Sequence, residues 1–552
     1  MEKIWTKNWP TDLPANIVYR NGEKPLFEYL RQNARELGDQ PAFIFYGNEI
    51  TWAEFDLYTD RFAGFLAGKG VKKGDRVMLY LQNCPQYVIA HYGTQKLGAV
   101  VVPANPMFRQ MELEYEANDS GAIIMVTSDD LYPVVEKIRD QTVIKEVVVS
   151  NNRDLAGKES PYRVPLELEF EKRSFARTHD MMDIITNHAA DFPVPEIDMA
   201  EDVCMIIYTS GTTGRPKGAM LTYRNSLYKT ACSGEFNRVK TSDRMLGVMP
   251  ICHIAGNVLT IGISVYAGAP VILLTRFEPD VVMAAFKKYR CTIFYGVTPM
   301  LLGMMDHPDA GNAEMSSMRK TLCTSFGIAL TEEIALRWST FVGGAPVVEA
   351  GYGLSETHTV DTGMPAHKIR YGSAGIPLFQ NMIKIIDPET GQDVPIGEQG
   401  EIIIQNPGVF KGYLNRPDKT AETLKDGWVF TGDIGRFDQD GYLYFLGRTK
   451  EMIKCSGYSV FPEDVEVMLL KHPAVFQAAV IGVPDPKRGE SVKAFIVVNP
   501  EYQNKIEQDE IINWAKENMA AYKYPRQVEF RDEFPTTGTG KVLRRLLHDD
   551  AN

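Results

Sequence analysis

The sequence predicts an α/β protein with a large multi-layer N-terminal domain, a β-rich subdomain and a small α+β C-terminal domain. Three observations carry this. Short apolar runs alternate with helical patterns through roughly the first 300 residues, the signature of parallel sheets covered by helices. After about residue 372 the texture changes to short strands joined by Gly, Pro and Asp turns. Beyond about residue 450, some 100 residues carry a βαβ texture of their own.

Taken in order, residues 24–46 read as a helix followed by a strand. DRVMLYL at 75–81 is a buried strand, 84–97 a helix, and GAVVVPANP at 98–106 the next strand, ended by proline. GAIIMVTS at 121–128 leads into the helical DLYPVVEKIRD. VCMIIYTS at 203–210 is a strand running into a Gly/Thr-rich loop, and strands at 269–274 and 291–297 bracket a helix. MIKIID and GEIIIQ are short strands of the β-rich unit. GRTKEMIK at 447–454 reads as a charged connection, which places the domain boundary near Lys450 and gives domains 1–449 and 450–552. AVFQAAVIGV, SVKAFIVVN and a helix at 507–518 follow.

The chain has 552 residues, 44% hydrophobic and 24% charged, an ordinary globular composition. A chain of this size buries a large core without disulfides or metals. Fifty-nine basic against 71 acidic residues give a net charge of −12, which argues against a non-specific nucleic-acid binder but leaves room for an anionic ligand in a local site. The seven cysteines are scattered with no CxxC, so a disulfide framework or thiolate zinc site is not expected. The N-terminus has no apolar signal core, and residues 259–275 are too short and too broken by Gly and Pro to span a membrane. The ending HDDAN is neither a peroxisomal tripeptide nor a prenylation box. The expected location is cytoplasmic, with peripheral membrane contact and either a monomer or a homodimer left open.

YTSGTTGRPKG at 208–218 follows an apolar strand and combines three Gly, three Thr, one Ser and Lys217. Glycines let backbone N–H groups approach a ligand, and with hydroxyls and one cation they form an anion-binding concavity. The order is not that of a Walker A loop, so a P-loop kinase or GTPase is disfavoured.

This segment resembles the phosphate loop of the adenylate-forming superfamily of acyl-CoA synthetases, peptide-synthetase adenylation domains and firefly-type luciferases. YGLSET at 352–357, TGD at 431–433, GRTKEMIKCSGY at 447–458 and PTTGTGKVLRR at 535–545 resemble further motifs of that family, in family order over most of the chain. The wider texture looks most like fatty-acyl-CoA ligases.

The resemblance implies two half-reactions. A carboxylate attacks the α-phosphorus of ATP to give acyl-AMP and pyrophosphate, and the thiol of coenzyme A then displaces AMP. Two anions must approach, so cations and aimed donors are required. The resemblance assigns Thr209, Ser210, Gly211, Thr212, Thr213, Gly214 and Lys217 to the β- and γ-phosphates. Gly351, Tyr352 and Gly353 would lie against adenine, with Gly327, Ile328 and Ala329 lining its other side. Ser355 would donate to the α-phosphate, and Glu356 would ligate magnesium. Asp433 would accept from the ribose hydroxyls, and Arg448 would reach ribose or phosphate. Lys541 would bridge the carboxylate and the α-phosphate. The resemblance further makes the C-terminal domain mobile about a hinge at Lys450, with rotation bringing Gly457 to the thiol tunnel. Arg544 and Arg545 read as the solvated face of an amphipathic basic helix.

For the acid, His253 in MPICH would stand near the carboxylate and gate access, with Ile254, Ala255 and Gly256 along the acyl channel. Phe326 and Ile328 would narrow it. Acetyl-CoA synthetases carry Trp where this chain has Gly353, so the pocket is expected to be open to a longer or aromatic acid. No charge near 253–258 meets a substrate ammonium group. The expectation is an ATP-, Mg2+- and CoA-dependent ligase of an apolar acid longer than acetate, medium- or long-chain. The alternatives are an aryl acid of benzoate or cinnamate type, or another acceptor such as a carrier protein. Lys217, Glu356, Asp433 and Lys541 are all present, which argues against an inert binding module.

Overall fold

The computed structural model describes residues 3–209, 216–325, 328–448, 451–455, 458–485, 488–536 and 542–551. Two large sheets dominate. In the first, Val347–Glu349, Lys320–Thr324, Ile293–Val297, Met245–Gly247, Val271–Leu273 and Pro41–Phe45 run parallel, closed by the antiparallel Asn48–Thr51. The second orders Gly412–Tyr413, Lys217–Thr222, Val203–Thr209, Val100–Ala104, Arg76–Tyr80, Ile124–Ser128, Glu146–Ser150 and His179–Asp180. It is parallel except at the Lys217–Thr222 and Gly412–Tyr413 end.

The unbroken apolar runs follow from burial on both faces. Along Arg76–Tyr80, Val77 and Leu79 face the main core while Met78 and Tyr80 face a second cluster behind the sheet. This is the period-2 alternation of a strand with no solvent side. Two of the long helices begin at reciprocal caps. Thr51 and Glu54 form a reciprocal capping box on Trp52–Gly68, and Thr222 with Asn225 does the same for Tyr223–Phe236.

The β-rich unit is an antiparallel sheet of Met382–Ile386, Gly400–Gln405, Trp428–Phe437 and Leu424–Lys425, with Leu443–Arg448 beside Trp428–Phe437. The last sheet contains Tyr458–Val460, Ile453–Cys455, Gly489–Val498, Val475–Asp485 and Gln527–Arg531. Only its final pair is parallel, so the expected βαβ unit is Gly489–Val498, Gln508–Asn518 and Gln527–Arg531, while Val475–Asp485 forms a hairpin with the first of these. This sheet has apolar clusters of its own on its two faces.

The 447–454 run differs from a solvated charged connection. Gly447 and Arg448 end one strand and Ile453 opens another, and two of its charges meet partners within the fold, Arg448 on Asp433 and Glu451 on Arg544. Residues 257–267 form a π-helical turn and a short helix, and among the described residues no helix is long and apolar enough to cross a membrane.

Candidate active site

The segment 349–362 continues from Val347–Glu349, the edge strand of the first sheet. Gly351 has φ +135°, and a Cβ there would lie 2.1 Å from the Thr362 carbonyl oxygen, so only glycine fits. The Tyr352 N–H donates to Thr362 Oγ1 at 2.8 Å, which fixes the ring's origin. The Tyr352 ring stacks at 5.9 Å on Phe445, and its hydroxyl donates to Asp433 Oδ2 at 2.7 Å. Asp433 is buried, lies opposite Arg448 in the strand pair, and holds Arg448 Nε at 3.0 Å from Oδ1. Burial, and then the Asp433 carboxylate, push the Tyr352 hydroxyl well above its ordinary range, so it stays a donor.

Four residues on, Ser355–Thr357 form a 3-10 turn that presents Glu356. The Glu356 carbonyl accepts from the Phe410 N–H at 2.8 Å, and its Oε1 accepts from the Tyr413 hydroxyl at 2.6 Å. Lys217 Nζ lies 4.3 Å from the centroid of the Tyr413 ring, a cation–π distance. Lys217 opens the strand antiparallel to Val203–Thr209, opposite Thr209, and the Pro216 carbonyl accepts from the Tyr115 hydroxyl at 2.9 Å. Thr209, Lys217, Tyr413 and Glu356 therefore share one sheet end, while Tyr352, Asp433 and Arg448 share the other side of the same short segment.

Ile328 is buried and Ala329 half-buried. Their segment is tied to the segment leading to Gly351 through Ser325, whose Oγ donates to Glu349 Oε2 at 2.6 Å and accepts from the Leu330 N–H at 3.0 Å. Burial pushes the Glu349 carboxyl up to about 7. His253 caps the turn Ile254–Gly256, its Nδ1 accepting from the Ala255 N–H at 3.4 Å. Ile254 and Ala255 belong to the main core. A Cβ on Gly256 would meet the Pro250 carbonyl oxygen at 2.1 Å, so this glycine is required by chain packing.

One expectation is corrected. A Cβ on Gly353 would meet Val360 N at 2.4 Å and Thr359 C at 2.6 Å. The glycine is demanded by the neighbouring backbone, where His358, Thr359 and Val360 are all left-handed at φ 59°, 58° and 47°. It therefore does not report an open acyl pocket. A second correction concerns Arg544, which is not on a solvated face. Its side chain is 13% exposed and is ringed by Glu451, Glu463 and Glu466.

Ser210, Gly211, Thr212, Thr213, Gly214, Phe326, Gly327, Lys450, Gly457 and Lys541 lie outside the described residues. Sequence reasoning missed Tyr413 and Phe410, which fasten Glu356 from more than 50 positions away in the chain. It also missed the fully buried pair of Lys229 and Asp361, 132 residues apart. A signal was present for that pair, since Lys229 stands in the otherwise uncharged NSLYKTACSG stretch of a helix.

The AMP-binding enzyme family model matches residues 30–414, and the AMP-binding enzyme C-terminal domain matches 464–541. A long-chain-fatty-acid–CoA ligase of Bacillus subtilis is 35% identical over 561 residues, covering 100% of this chain and 98% of its own. A feruloyl-CoA synthase of Amycolatopsis is 34% identical, covering 90% of this chain and 93% of its own. The anthranilate CoA ligase AuaEII in complex with anthranoyl-AMP superposes with a TM-score of 0.83 at 26% identity, covering 98% of each chain. With the α/β architecture and the motif order, these likenesses show that the chain belongs to the AMP-binding enzyme family, as an AMP-forming acyl-CoA synthetase.

Proposed function

We propose that the protein joins an apolar carboxylic acid longer than acetate, of medium or long chain, to coenzyme A through an acyl-AMP. The observation that carries the site reading is the double use of one segment: Tyr352 joins Asp433 and Arg448, and Glu356, four residues later, joins Tyr413 beside Lys217. A nucleotide with its base on the Tyr352 side and its phosphates on the Lys217 side would lie along that segment. Asp433 would accept from the ribose, and Arg448 would offset phosphate charge. Ser355 would donate to the α-phosphate, and the 209–217 loop would hold the outer phosphates. Lys541 would bridge the two reacting anions, which is the type of preorganised donor whose loss costs about 3–4 kcal/mol of transition-state stabilisation.

Magnesium fits this donor set. Among the described residues no cluster of three acidic, His or Cys side chains could hold a metal alone. Magnesium is commonly held by one or two carboxylates together with substrate phosphates, and Glu356 supplies one such carboxylate. When bound, the ion would neutralise phosphate charge. The chain's own part is to aim Glu356, which the Tyr413 hydroxyl and the Phe410 N–H do.

Residues 1–449 would form the nucleotide- and acyl-binding domain, and 450–552 a domain that turns about Lys450 to exchange Lys541 for Gly457. A cytoplasmic location fits the seven free thiols. An aryl acid is a second reading, supported by the feruloyl-CoA synthase relative. The test is AMP and pyrophosphate release with octanoate, hexadecanoate, benzoate and acetate, each with and without CoA. CoA-dependent turnover of the fatty acids supports the proposal. Turnover confined to benzoate replaces it with the aryl reading, and no CoA dependence with any acid overturns both.

A further inference from the structure

The chain leading away from Lys541 is anchored unusually. Thr536 and Val542 form an antiparallel bridge, and the Leu543 N–H donates to the Pro535 carbonyl at 2.8 Å, so Pro535–Thr536 and Val542–Leu543 meet at a neck that adjoins Lys541 in the chain. Arg544, two residues beyond that neck, opens the Arg544–Ala551 helix. Its Nη1 lies 2.5 Å from Glu451 Oε2 and 2.9 Å from Glu463 Oε1, and its Nη2 is 2.9 Å from both Glu466 oxygens. All four side chains are at most about one-fifth exposed.

This cluster touches both sides of the proposed hinge. Glu451 is the first described residue after it. On the other side, a Cβ on Gly447 would lie 2.2 Å from Glu463 Oε2, so that carboxylate packs directly on the strand whose next residue, Arg448, holds Asp433. A continuous line of contacts therefore joins the Asp433 station to the neck of the Lys541 segment. It runs through Arg448, Gly447 and Glu463 to Arg544.

The helix also has an apolar anchor apart from the cluster. Leu547 of the same helix is buried with Ile481, Phe495 and Phe534. Buried ion clusters are weak devices for stability, because apolar side chains of like volume do as well, and their best-attested use is to specify one arrangement. A planar guanidinium suits this use because it meets several carboxylates in fixed directions.

We propose that Arg544 is a positioning residue for the adenylation step: held by Glu451, Glu463 and Glu466, it sets the Thr536–Val542 neck against the strand that carries Arg448. This rests on the proposed role of Lys541. It follows that Arg544 matters for the half-reaction that uses Lys541 and not for the one that does not.

The test uses the full-length protein and two variants, Arg544→Lys and Glu451→Gln. Acid-dependent ATP–pyrophosphate exchange reads the first half-reaction, and conversion of supplied acyl-AMP and CoA to thioester reads the second. Both variants are expected to lose at least 10-fold in exchange while thioester formation stays within about 2-fold. Glu451→Gln keeps the volume and the Arg544–Glu466 pair, so it guards against a folding failure in Arg544→Lys. Equal losses in both half-reactions would make the cluster merely structural, and unchanged exchange in both variants would remove the proposal. Wild-type protein without acid-dependent exchange would instead remove the underlying adenylation reading.

Discussion

Replacing Lys229 with methionine tests how the Glu356 turn is held. Lys229 and Asp361 are both fully buried and form a direct ion pair. Asp361 also accepts from the Thr357 hydroxyl and, at 2.9 Å, from Asn406 Nδ2, and Lys229 Nζ lies 3.4 Å from the Val360 carbonyl. A Cβ on Gly408 would meet Lys229 Cε at 2.3 Å, so the chain wraps closely around the lysine stem. Methionine keeps most of that stem and deletes the charge. Removing one partner of a buried pair leaves an uncompensated charge and typically costs about 3–5 kcal/mol. Because Thr357 shares Asp361 and adjoins Glu356, kcat should fall as well.

The pH dependence gives this prediction its sign. Burial raises the Asp361 carboxyl, and Lys229 is the largest of the groups pulling it back. Without Lys229 the folded-state pKa rises further above the unfolded value, so the folded variant retains a proton that the unfolded chain releases. Its stability relative to wild type is then greatest at low pH and is lost as pH rises through the raised pKa. Urea unfolding at pH 5 and pH 8 should show a deficit that widens at pH 8. The double variant Lys229→Met, Asp361→Asn should recover part of it, since no buried carboxylate remains. A Lys229→Met deficit below about 1 kcal/mol at pH 8, or no recovery in the double variant, would refute the buried-charge argument, because breaking such a pair is normally far costlier.

Three further outcomes follow. Tyr352→Phe removes the donor to Asp433 and should raise the KM for ATP about 10-fold, equivalent to about 1.4 kcal/mol, with kcat within 2-fold; an unchanged KM would remove Tyr352 from ordering Asp433. Gly353→Ala forces a Cβ onto the Val360 N–H and should cost about 1–3 kcal/mol of stability while leaving acid chain-length preference alone; a changed preference at unchanged stability would show that the position faces the acyl group. Glu463 is raised to about 7 by burial, so in wild type its contribution is present at low pH and lost as pH rises through about 7. Glu463→Gln should flatten that dependence, and equal slopes in both proteins between pH 5 and pH 8 would contradict it.

The parallel strands were legible because a strand buried on both faces must be apolar throughout, as Val77–Tyr80 and Val100–Ala104 are. The helices starting at Trp52 and Tyr223 went uncalled, although Thr51 with Glu54 and Thr222 with Asn225 supply capping residues at the right spacing. What local patterns could not show was where charges go. Arg544 beside Arg545 reads as a solvated pair, because nothing within a helical turn reveals carboxylates 78 to 93 residues away. Gly353 reads as an empty pocket wall, because the left-handed run at 358–360 that crowds it is a tertiary outcome. Tyr413 was equally silent, since a tyrosine in a polar turn carries no mark of the carboxylate it will meet.

The two acidic stations share a design. Asp433 and Glu356 each accept from a tyrosine hydroxyl, at 2.7 and 2.6 Å, and both tyrosines are held far above their ordinary range by burial and by the carboxylate they serve. Each hydroxyl therefore remains a donor, and each carboxyl group keeps acceptor capacity beyond the site its tyrosine fills. A carboxylate already fixed in direction loses little entropy when a ribose hydroxyl or a cation meets it, and that preorganisation separates an adenylating site from a loose anion cradle. Because Tyr352 and Glu356 lie on one short segment, a change at either tyrosine should disturb the other station. Tyr413→Phe should therefore raise the KM for ATP even though Tyr413 lies on the Glu356 side, and an effect confined to the magnesium requirement would show that the two stations act separately.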